Sequence, residues 1–523
     1  MKRKNRNIKR IIGLATVGIL SLNILSACNT ATVETCPYSL PDYAIGEKFE
    51  IMAVGPGNGQ YRYDKVYYQV ADNQQTIEGY TTFKEAGFTT LLLSHGEEIG
   101  VNEVFEGSYA QQCAETAYAA GITDIYLEDL AILSNITYAP QKVVDETGAG
   151  RFLSVEELDA FITSRLEMYI NEPWFSGLAF TDEPFYQQTD GIGEIYRSVK
   201  RCAAALGKAD IGLFLNLNPC MVDNAAYNCY GKVGTYENLE EIYTKYLEDY
   251  IVATQCDRIC VDMYPYSLTR FKEGFYPNLQ KLRELCDKYD IGMSFYAQAY
   301  SEFQGGTQVS RVMGEAEVYH NVNSLIGYGV DQLVWFRYRA WPEGEPTGQW
   351  NDAAMLIDKY GNPTDVYYYT QKVLSEFQSF ANVLSNYDFE GAKFYTTDGT
   401  PQYGTSNYFV TSEDSATGTV MEYDNSYEFA LLKNMTINND ISLVSESYDA
   451  ENDLYMYMFM NAIDPYYSQY GNTAMTIQAD FGSEYEWAAE WECGVLNYVK
   501  LENGIYKKDL SAGYATYIIP LKK

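Results

Sequence analysis

Short apolar runs alternate with segments of helical length through most of this chain. Between about residues 48 and 385 there are eight such runs, each too short for a buried helix. Most have turn residues or a helical segment on both sides. We therefore predict eight β-strands, at 49–54, 89–94, 124–130, 177–181, 211–216, 258–262, 292–297 and 332–336.

The segments between these runs have the features of helices. Ser154 with Glu157 three residues later is the pattern of a capping box, and 236–254 and 278–289 predict further helices. Strands separated by helices form parallel βαβ units, and eight units indicate a (β/α)8 barrel over 48–388. A doubly wound sheet is the alternative, but the Gly-rich stretch 55–59 lacks the spacing of a phosphate-binding turn.

The pattern changes after about residue 390. Helical periodicity fades, and runs of strand length such as 453–461 replace it. Alternation is strict over 475–481, where Met475, Ile477, Ala479 and Phe481 share one face. We predict a small all-β sandwich over 389–523, which makes the whole chain α/β with an all-β C-terminal domain.

The N-terminus has the order of a secretory signal. Six basic residues precede an apolar stretch from 11 to about 26. Small residues follow at the end of this stretch, just before Cys28. Residues 25–28 resemble a bacterial lipobox. This resemblance implies a signal peptide over 1–27, lipidation of Cys28 and a tether over 28–47. The expected location is the cell surface, with membrane attachment only through the lipid.

Composition limits the partners. Removal of the six basic residues changes the formal net charge from −34 to −40, which disfavours nucleic acid and anionic substrates and favours a neutral one. Only two histidines are present, and the cysteines form no CxxC pair, so we expect no metal site and no cofactor. The 50 tyrosines suit contact with sugars as well as packing in strands.

Carboxylates, amides and aromatics follow the predicted strands, at the barrel end where catalytic groups lie. Asp182 and Glu183 follow the fourth run directly, and Asp262 ends the sixth. Glu302 stands four residues beyond Gln298, which follows the seventh run. The remaining candidates, for substrate binding, are His95, Glu128, Asn216, Asn218, Tyr264, Gln298, Tyr300, Trp335, Arg337 and Trp341.

The barrel order, Asp182-Glu183-Pro184 and the sequence Asp-Met-Tyr-Pro at 262–265 resemble the clan A glycoside hydrolases. Residues 510–515 are similar to the last hairpin of their accessory β-sandwich. The resemblance implies that Glu183 is the general acid/base, with adjacent Asp182 raising its pKa. Two departures stand out: Asp182 replaces the Asn that often precedes this Glu, and Gln298 stands where the clan has its nucleophile.

Three explanations for the missing nucleophile remain open. Glu302 or Asp262 is the second catalytic carboxylate, as nucleophile or as the base of an inverting reaction. Alternatively, Asp182 and Glu183 resemble the pair that barrel enzymes use for substrate-assisted hydrolysis of 2-acetamido sugars. In the third, the protein binds glycans without cleaving them. The sequence favours a hydrolase acting on O-glycosidic bonds of an oligo- or polysaccharide, and a glycan-binding lipoprotein is the alternative.

Overall fold

The computed structural model describes residues 35–43, 49–55, 60–63, 66–69, 75–93, 104–129, 131–132, 142–144, 150–152, 154–220, 239–272, 274–304, 307–340, 355–397, 411–414 and 418–522. The chain divides into two units, Met1–Ser39 and Leu40–Lys523. All elements described below belong to the second unit. Within the described residues, no helix has both the length and the apolar character needed to cross a membrane.

Eight parallel strands close into a barrel, as the sequence predicts. Around the barrel the order is β1, β14, β11, β10, β9, β8, β5 and β4. Each predicted run coincides with one of these strands within two residues. The bounds are β1 Glu50–Val54, β4 Thr90–Leu93, β5 Asp124–Glu128, β8 Phe175–Asp182, β9 Gly212–Leu217, β10 Arg258–Val261, β11 Gly292–Gln298 and β14 Gln332–Phe336.

Helices and small hairpins connect the barrel strands. The described helices are α1 Ile77–Glu85, α2 Tyr109–Ala119, α3 Val155–Leu166, α4 Thr189–Ala205, α5 Leu239–Thr254, α6 Phe275–Tyr289, α7 Glu315–Ile326, α8 Asp365–Gln378 and α9 Ala381–Leu384. The hairpins are β2–β3 (Gln60–Tyr63, Val66–Gln69), β6–β7 (Lys142–Val144, Gly150–Phe152) and β12–β13 (Phe303–Gln304, Thr307–Gln308). Ser154 and Glu157 form the predicted capping box at α3.

The barrel interior is a packed core to which every strand contributes. The contributing side chains are Met52, Val54, Leu92, Tyr126, Ala179, Phe214, Cys260, Tyr296, Val334 and Phe336. Tyr126 fits because Gly177 and Gly212 face it, and a Cβ atom at either glycine would overlap the Tyr126 ring. At the N-terminal end of the barrel, Arg258 of β10 donates to Glu50 of β1 at 2.7 Å. In barrels of this kind the ligand binds at the other end, where the strands end.

The C-terminal region consists of antiparallel sheets, which confirms the predicted change of fold. Its strands are β15 Asp388–Thr396, β16 Thr411–Asp414, β17 Gly418–Glu422, β18 Asn434–Ile437, β19 Ile441–Asp449, β20 Leu454–Asn461, β21 Met475–Asp480, β22 Tyr485–Glu492, β23 Val495–Lys500, β24 Ile505–Leu510 and β25 Ala515–Lys522. A six-stranded sheet, β15-β19-β20-β25-β22-β23, and a three-stranded sheet, β18-β21-β24, face each other, and β16 pairs with β17. The Tyr457 and Phe481 rings, 5.1 Å apart, join the two sheets.

The prediction of a last hairpin at residues 510–515 is wrong. Strand β24 pairs with β21 in the small sheet, whereas β25 pairs with β20 and β22 in the large one. Residues 511–514 therefore cross between the sheets. The physical reason is burial: β24 buries Tyr506 and Leu510 and exposes the residues between them on its other face, whereas β25 is buried at six consecutive positions, as in a strand covered on both faces.

Helix α7 joins the barrel to the sandwich. His320 on this helix is fully buried, with Nδ1 2.7 Å from the Tyr266 hydroxyl and Nε2 3.3 Å from the Ala462 carbonyl oxygen. Burial lowers the pKa of His320 to about 4, so the ring is neutral near neutral pH. Arg311, just before α7, pairs with buried Asp464 of the sandwich at 2.7 Å. His320 thus has a structural role between the barrel and the sandwich.

Asp129 stabilises the barrel wall and takes no part in the barrel mouth. It follows Glu128 at the end of β5, and alternation turns it toward α3. Its carboxylate, only 1% exposed, accepts two hydrogen bonds from Arg165 at 3.0 and 3.1 Å. The Tyr169 hydroxyl donates a further one at 2.8 Å. A buried charge with this many donors is expensive to leave unpaired.

We predict that Asp129→Ala destabilises the fold by about 3–5 kcal/mol, because the Arg165 charge is left buried without its partner. Chemical denaturation measures the change. The control is Asp257→Ala, which removes an Asp–Lys pair with Lys200 in which the Asp257 side chain is 63% exposed. Here the expected loss is at most about 1 kcal/mol. Equal losses for the two variants would contradict this account of Asp129.

Candidate active site

Three carboxylates and one amide meet at the open end of the barrel. Asp182 ends β8 and is in register with Asn216 of β9, and Asn216 Nδ2 donates to Asp182 Oδ1 at 2.8 Å. Asn216 is itself in register with Cys260 of β10, so Asp262 lies one inward-facing position higher. Glu183 follows Asp182 directly. We call Asp182, Glu183, Asn216 and Asp262 the carboxylate cluster.

Glu183 has an unusual backbone conformation. Its φ of 43° lies in the left-handed region, which residues with a side chain seldom adopt. Strain of this kind persists only where surrounding contacts hold it, often at functional sites. Here the Glu183 N–H donates to the Asn216 carbonyl at 3.1 Å. On the other side, the Tyr246 hydroxyl donates to the Pro184 carbonyl at 2.8 Å.

Asn218 supports the same loop. Its amide contacts the Pro184 carbonyl and the Tyr246 hydroxyl, both at 3.4 Å, and only 5% of the residue is exposed. The Tyr250 hydroxyl, one turn of α5 after Tyr246, donates to the Phe185 carbonyl at 2.6 Å. Asn218 was expected to bind substrate; the structure instead places it beneath the loop that carries Glu183.

Burial and like charge raise the pKa values in the cluster. Burial raises the pKa of Glu183 to about 7, and the Asp182 charge adds to this rise. Burial also raises the pKa of Asp262 well above its usual range, with contributions from Glu183 and then Asp182. A hydrogen bond with the Asp262 carboxyl opposes this rise in the pKa of Glu183. Interacting carboxyls titrate as a pair, so we expect Glu183 and Asp262 to retain one proton between them near neutral pH.

The two carboxyls differ in their access to solvent. Glu183 as a whole residue is exposed at the mouth of the barrel although protein groups surround its carboxyl, whereas Asp262 is only partly exposed and its Oδ1 atom is fully buried. Water therefore screens Glu183 more strongly than Asp262. Glu183 is the member of the pair that can reach a ligand first, with Asp262 below it.

Aromatic side chains form a wall beside the cluster. The Tyr264 ring lies 4.9 Å from that of Tyr300 and 5.8 Å from that of Phe336. Tyr296 lies deeper, with Asp182 and Asp262 among its charged neighbours. The Arg337 guanidinium is 6.0 Å from the centre of the Phe336 ring. Partly exposed Tyr264 and Phe336 provide the apolar surface that a sugar ring needs beside hydrogen-bonding groups.

Gln298 does not face a ligand, which corrects its expected role in substrate binding. It is 2% exposed, and its Oε1 accepts from the Tyr266 N–H at 2.9 Å. Its Nε2 donates to the carbonyls of Tyr266 and Tyr300, both at 3.2 Å. The amide thus ties the loop after β10, which carries Asp262 and Tyr264, to the end of β11. A carboxylate lacks the donors for two of these three bonds.

Trp335 lies apart from the cluster, whereas Glu302, Asp262 and Glu183 are all charged neighbours of Tyr300. Trp335 is 1% exposed and packs outside the barrel against Phe88, with ring centres 5.9 Å apart. Alternation explains this, because Val334 and Phe336 face inward. Glu302 was expected as a possible second carboxylate. It lies next to hairpin β12–β13, where its backbone N–H donates to Ser310 Oγ at 2.5 Å and Lys272 is a charged neighbour.

The other predicted residues fall into two groups. Glu128 ends β5 beside Ala179, on the inward side that Tyr126 shares, so it lies at the barrel mouth. His95, Trp341 and Cys28 lie outside the described residues.

Sequence reasoning missed several contributors. Phe336 and Tyr296 line the site, and period-two alternation from Trp335 and Gln298 would have indicated both. Tyr246 and Tyr250 are four residues apart on α5, a spacing that puts both hydroxyls on one face. No signal in the sequence showed that the Gln298 amide is fully used by backbone groups.

The cluster is not arranged as a metal site. Among the described residues, no group of three or more His, Cys, Asp or Glu side chains could hold a metal ion. The arrangement can transfer a proton at neutral pH. It does so next to an apolar wall, at the end of the barrel where the strands end.

No protein-family model matches this sequence, and no curated protein matches it significantly. Solved structures that match include a β-galactosidase from psychrophilic Marinomonas ef1, at 11% identity and a TM-score of 0.39. That match covers 64% of this chain and 60% of the galactosidase. A glycoside hydrolase matches at 10% identity and a TM-score of 0.47, over 91% of this chain and 93% of its own.

A family 5 glycoside hydrolase from Bacteroides vulgatus matches at 10% identity and a TM-score of 0.44, over 91% of this chain and 89% of its own. At such identities and TM-scores these matches carry no argument about the reaction, which depends on the geometry described above.

We predict that Gln298→Glu destabilises the protein and creates no new catalytic group, because its carboxylate would face the Tyr266 and Tyr300 carbonyls. The pKa of the introduced carboxyl would be raised, so the loss of stability should be larger at pH 8 than at pH 5. Denaturation at both pH values measures this. The control is Gln280→Glu, since half-buried Gln280 makes a similar amide bridge to the Asp424 N–H and carbonyl, at 2.7 and 2.9 Å. If the Gln298→Glu protein is as stable as the control variant, the Gln298 amide does not hold the loop after β10 to the end of β11.

Proposed function

We propose that this protein hydrolyses O-glycosidic bonds in an extracellular glycan without negative charge. The observation that carries the proposal is the contact between Glu183 and Asp262 at the open end of the barrel. Their shared proton supplies an acid near neutral pH, and the aromatic wall of Tyr264 and Phe336 supplies a surface for a sugar ring. The strong negative charge of the chain disfavours polyanions.

In the proposed reaction, Glu183 gives its proton to the glycosidic oxygen as the bond to the anomeric carbon breaks. Asp262, ionised once the proton stays with Glu183, attacks that carbon and forms a glycosyl ester. Water, deprotonated by Glu183, then releases the sugar and restores both carboxyls. The close placement of Glu183 and Asp262 is nearer to the separation of about 5–5.5 Å in retaining enzymes than to the roughly 6.5–9.5 Å in inverting ones, so the product should retain its anomeric configuration.

We also propose that the protein acts at the cell surface. The proposal rests on the lipobox-like residues 25–28 and the basic and apolar order before them. Radiolabelled palmitate should enter the full chain in a bacterial host and not its Cys28→Ser variant. Equal labelling of the two would overturn this part of the proposal.

We predict that purified protein releases sugar from a panel of aryl glycosides and oligosaccharides, and that Glu183→Gln lowers the rate by at least ~10³-fold by removing the acid. Proton NMR of the first product measures both rate and anomeric configuration. Glu156→Gln, on the exposed face of α3, is the control and should leave the rate unchanged. Glycan binding without turnover would favour a non-catalytic binding protein.

We predict that Asp182→Asn moves the alkaline limb of the pH–rate profile to lower pH. The Asp182 charge helps to raise the pKa of Glu183 to about 7, and removing it lowers that pKa. Glu183 must be protonated to act as the acid, so activity is lost at a lower pH in the variant. The position of the limb in kcat, fitted between pH 5 and 9, is the readout. An unchanged or higher position contradicts the assignment.

A further inference from the structure

The carboxylate cluster contains buried hydrogen-bond acceptors that the described residues do not satisfy. Asn216 is 1% exposed, yet its Oδ1 accepts no hydrogen bond from them. The orientation of its amide is fixed, because Nδ2 is needed to donate to Asp182 Oδ1 at 2.8 Å. Asp262 Oδ1, in the same cluster, is likewise buried without a donor. Buried polar atoms are normally paired, and an unpaired acceptor costs about 1–3 kcal/mol.

A ligand group that binds here must supply donors. The polar side-chain atoms of the cluster are carboxyl oxygens and one amide, whose N–H groups already serve Asp182 and the Asp262 carboxyl. A hydroxyl brings one donor together with an oxygen that faces other acceptors. An acetamido group brings one N–H and a further carbonyl acceptor. An ammonium group brings three donors and no acceptor, which is the best match to two unsatisfied acceptors.

Charge gives a second reason for an ammonium group. Asp182, Glu183 and Asp262 lie together, and the charged groups that act most strongly on Glu183 and Asp262 are the other carboxyls. A cation bound among them compensates their repulsion and allows Asp262 to be ionised. The formal net charge of −34 also attracts a cationic ligand to the protein.

We propose that the sugar bound at the carboxylate cluster carries a protonated amine, whose N–H groups bind Asn216 Oδ1 and Asp262 Oδ1. The substrate class is then a glycan that contains free amino sugars. This inference deepens the proposed function and rests on it for the reaction, but binding of the amino sugar is independent of turnover.

The experiment is calorimetric binding of three monosaccharide probes that differ only at C2: glucosamine, glucose and N-acetylglucosamine. The galactose-configured set is measured in parallel, and each comparison is made within one configuration at pH 6. We expect the amino sugar to bind at least ~10-fold more tightly than both neutral probes in one of the two sets. Equal binding, a preference for a neutral probe, or no binding of either amino sugar overturns the proposal.

Two variants locate the effect. Asp262→Asn removes a charge and should reduce the preference for the amino sugar to less than ~3-fold. Its control is Asp257→Asn, which removes the same charge from the exposed residue before β10, at the opposite end of the barrel. This control should keep the preference. Asn216→Leu removes the acceptor and should also reduce it, with circular dichroism checking the fold.

If Asp257→Asn weakens the preference as much as Asp262→Asn, overall charge explains it and the subsite is overturned. Amino-sugar binding that is lost in Asp262→Asn, in a protein that hydrolyses no glycan, would support the subsite and remove the hydrolase proposal. Hydrolysis restricted to neutral sugars would support the hydrolase proposal and remove the amino-sugar subsite. The two proposals can therefore fail separately.

Discussion

Mutual repulsion of Asp182, Glu183 and Asp262 is the constraint on which the rest of the site depends. Carboxyls in contact cannot all be ionised, so the cluster retains a proton at a pH where free carboxyls would lose theirs. The protein brings them together by placing them at the ends of neighbouring strands in a closed sheet. The register of the strands then places Asp182 next to Asn216 and Asp262 beside both.

Holding like charges together requires support from neutral groups. Asn216 orients Asp182 through its side chain and fixes Glu183 through its backbone carbonyl. Tyr246 and Asn218 bind the Pro184 carbonyl, and Gln298 fixes the loop that carries Asp262. These supports come from β9, α5 and β11, so the geometry of the cluster is a property of the whole barrel wall. The other end of the barrel is closed by packing and by the Glu50–Arg258 pair.

The fold followed from the sequence because period-two and helical patterns are local consequences of burial. All eight barrel strands and the Ser154 cap were predictable for this reason, and so was the buried face of Met475 and Ile477. The crossover at residues 511–514 was not, since a turn between two strands does not reveal with which sheet each one pairs. The position of the site was predictable from strand ends, and Asp262 was among the candidates.

The partners of each side chain were not predictable, because hydrogen bonds between distant residues leave no spacing in the sequence. Gln298 illustrates this point. From the sequence it stood where a catalytic carboxylate was expected, which suggested either a lost nucleophile or a ligand contact. In the fold its three hydrogen bonds to the Tyr266 and Tyr300 backbone require an amide. Gln298 therefore stands in place of a carboxylate for a structural reason. Asp262 is the candidate for the second catalytic carboxyl.

The central claim is that Glu183 and Asp262 share one proton near neutral pH. Carbon-13 NMR of the side-chain carboxyls, followed from pH 3 to 9 in protein labelled at Asp and Glu, tests it most directly. The account predicts a titration step near pH 7 that two carboxyl resonances share, and that disappears in Asp262→Asn and in Glu183→Gln. If every carboxyl in the protein titrates below pH 5, the two groups do not share a proton and the account is wrong.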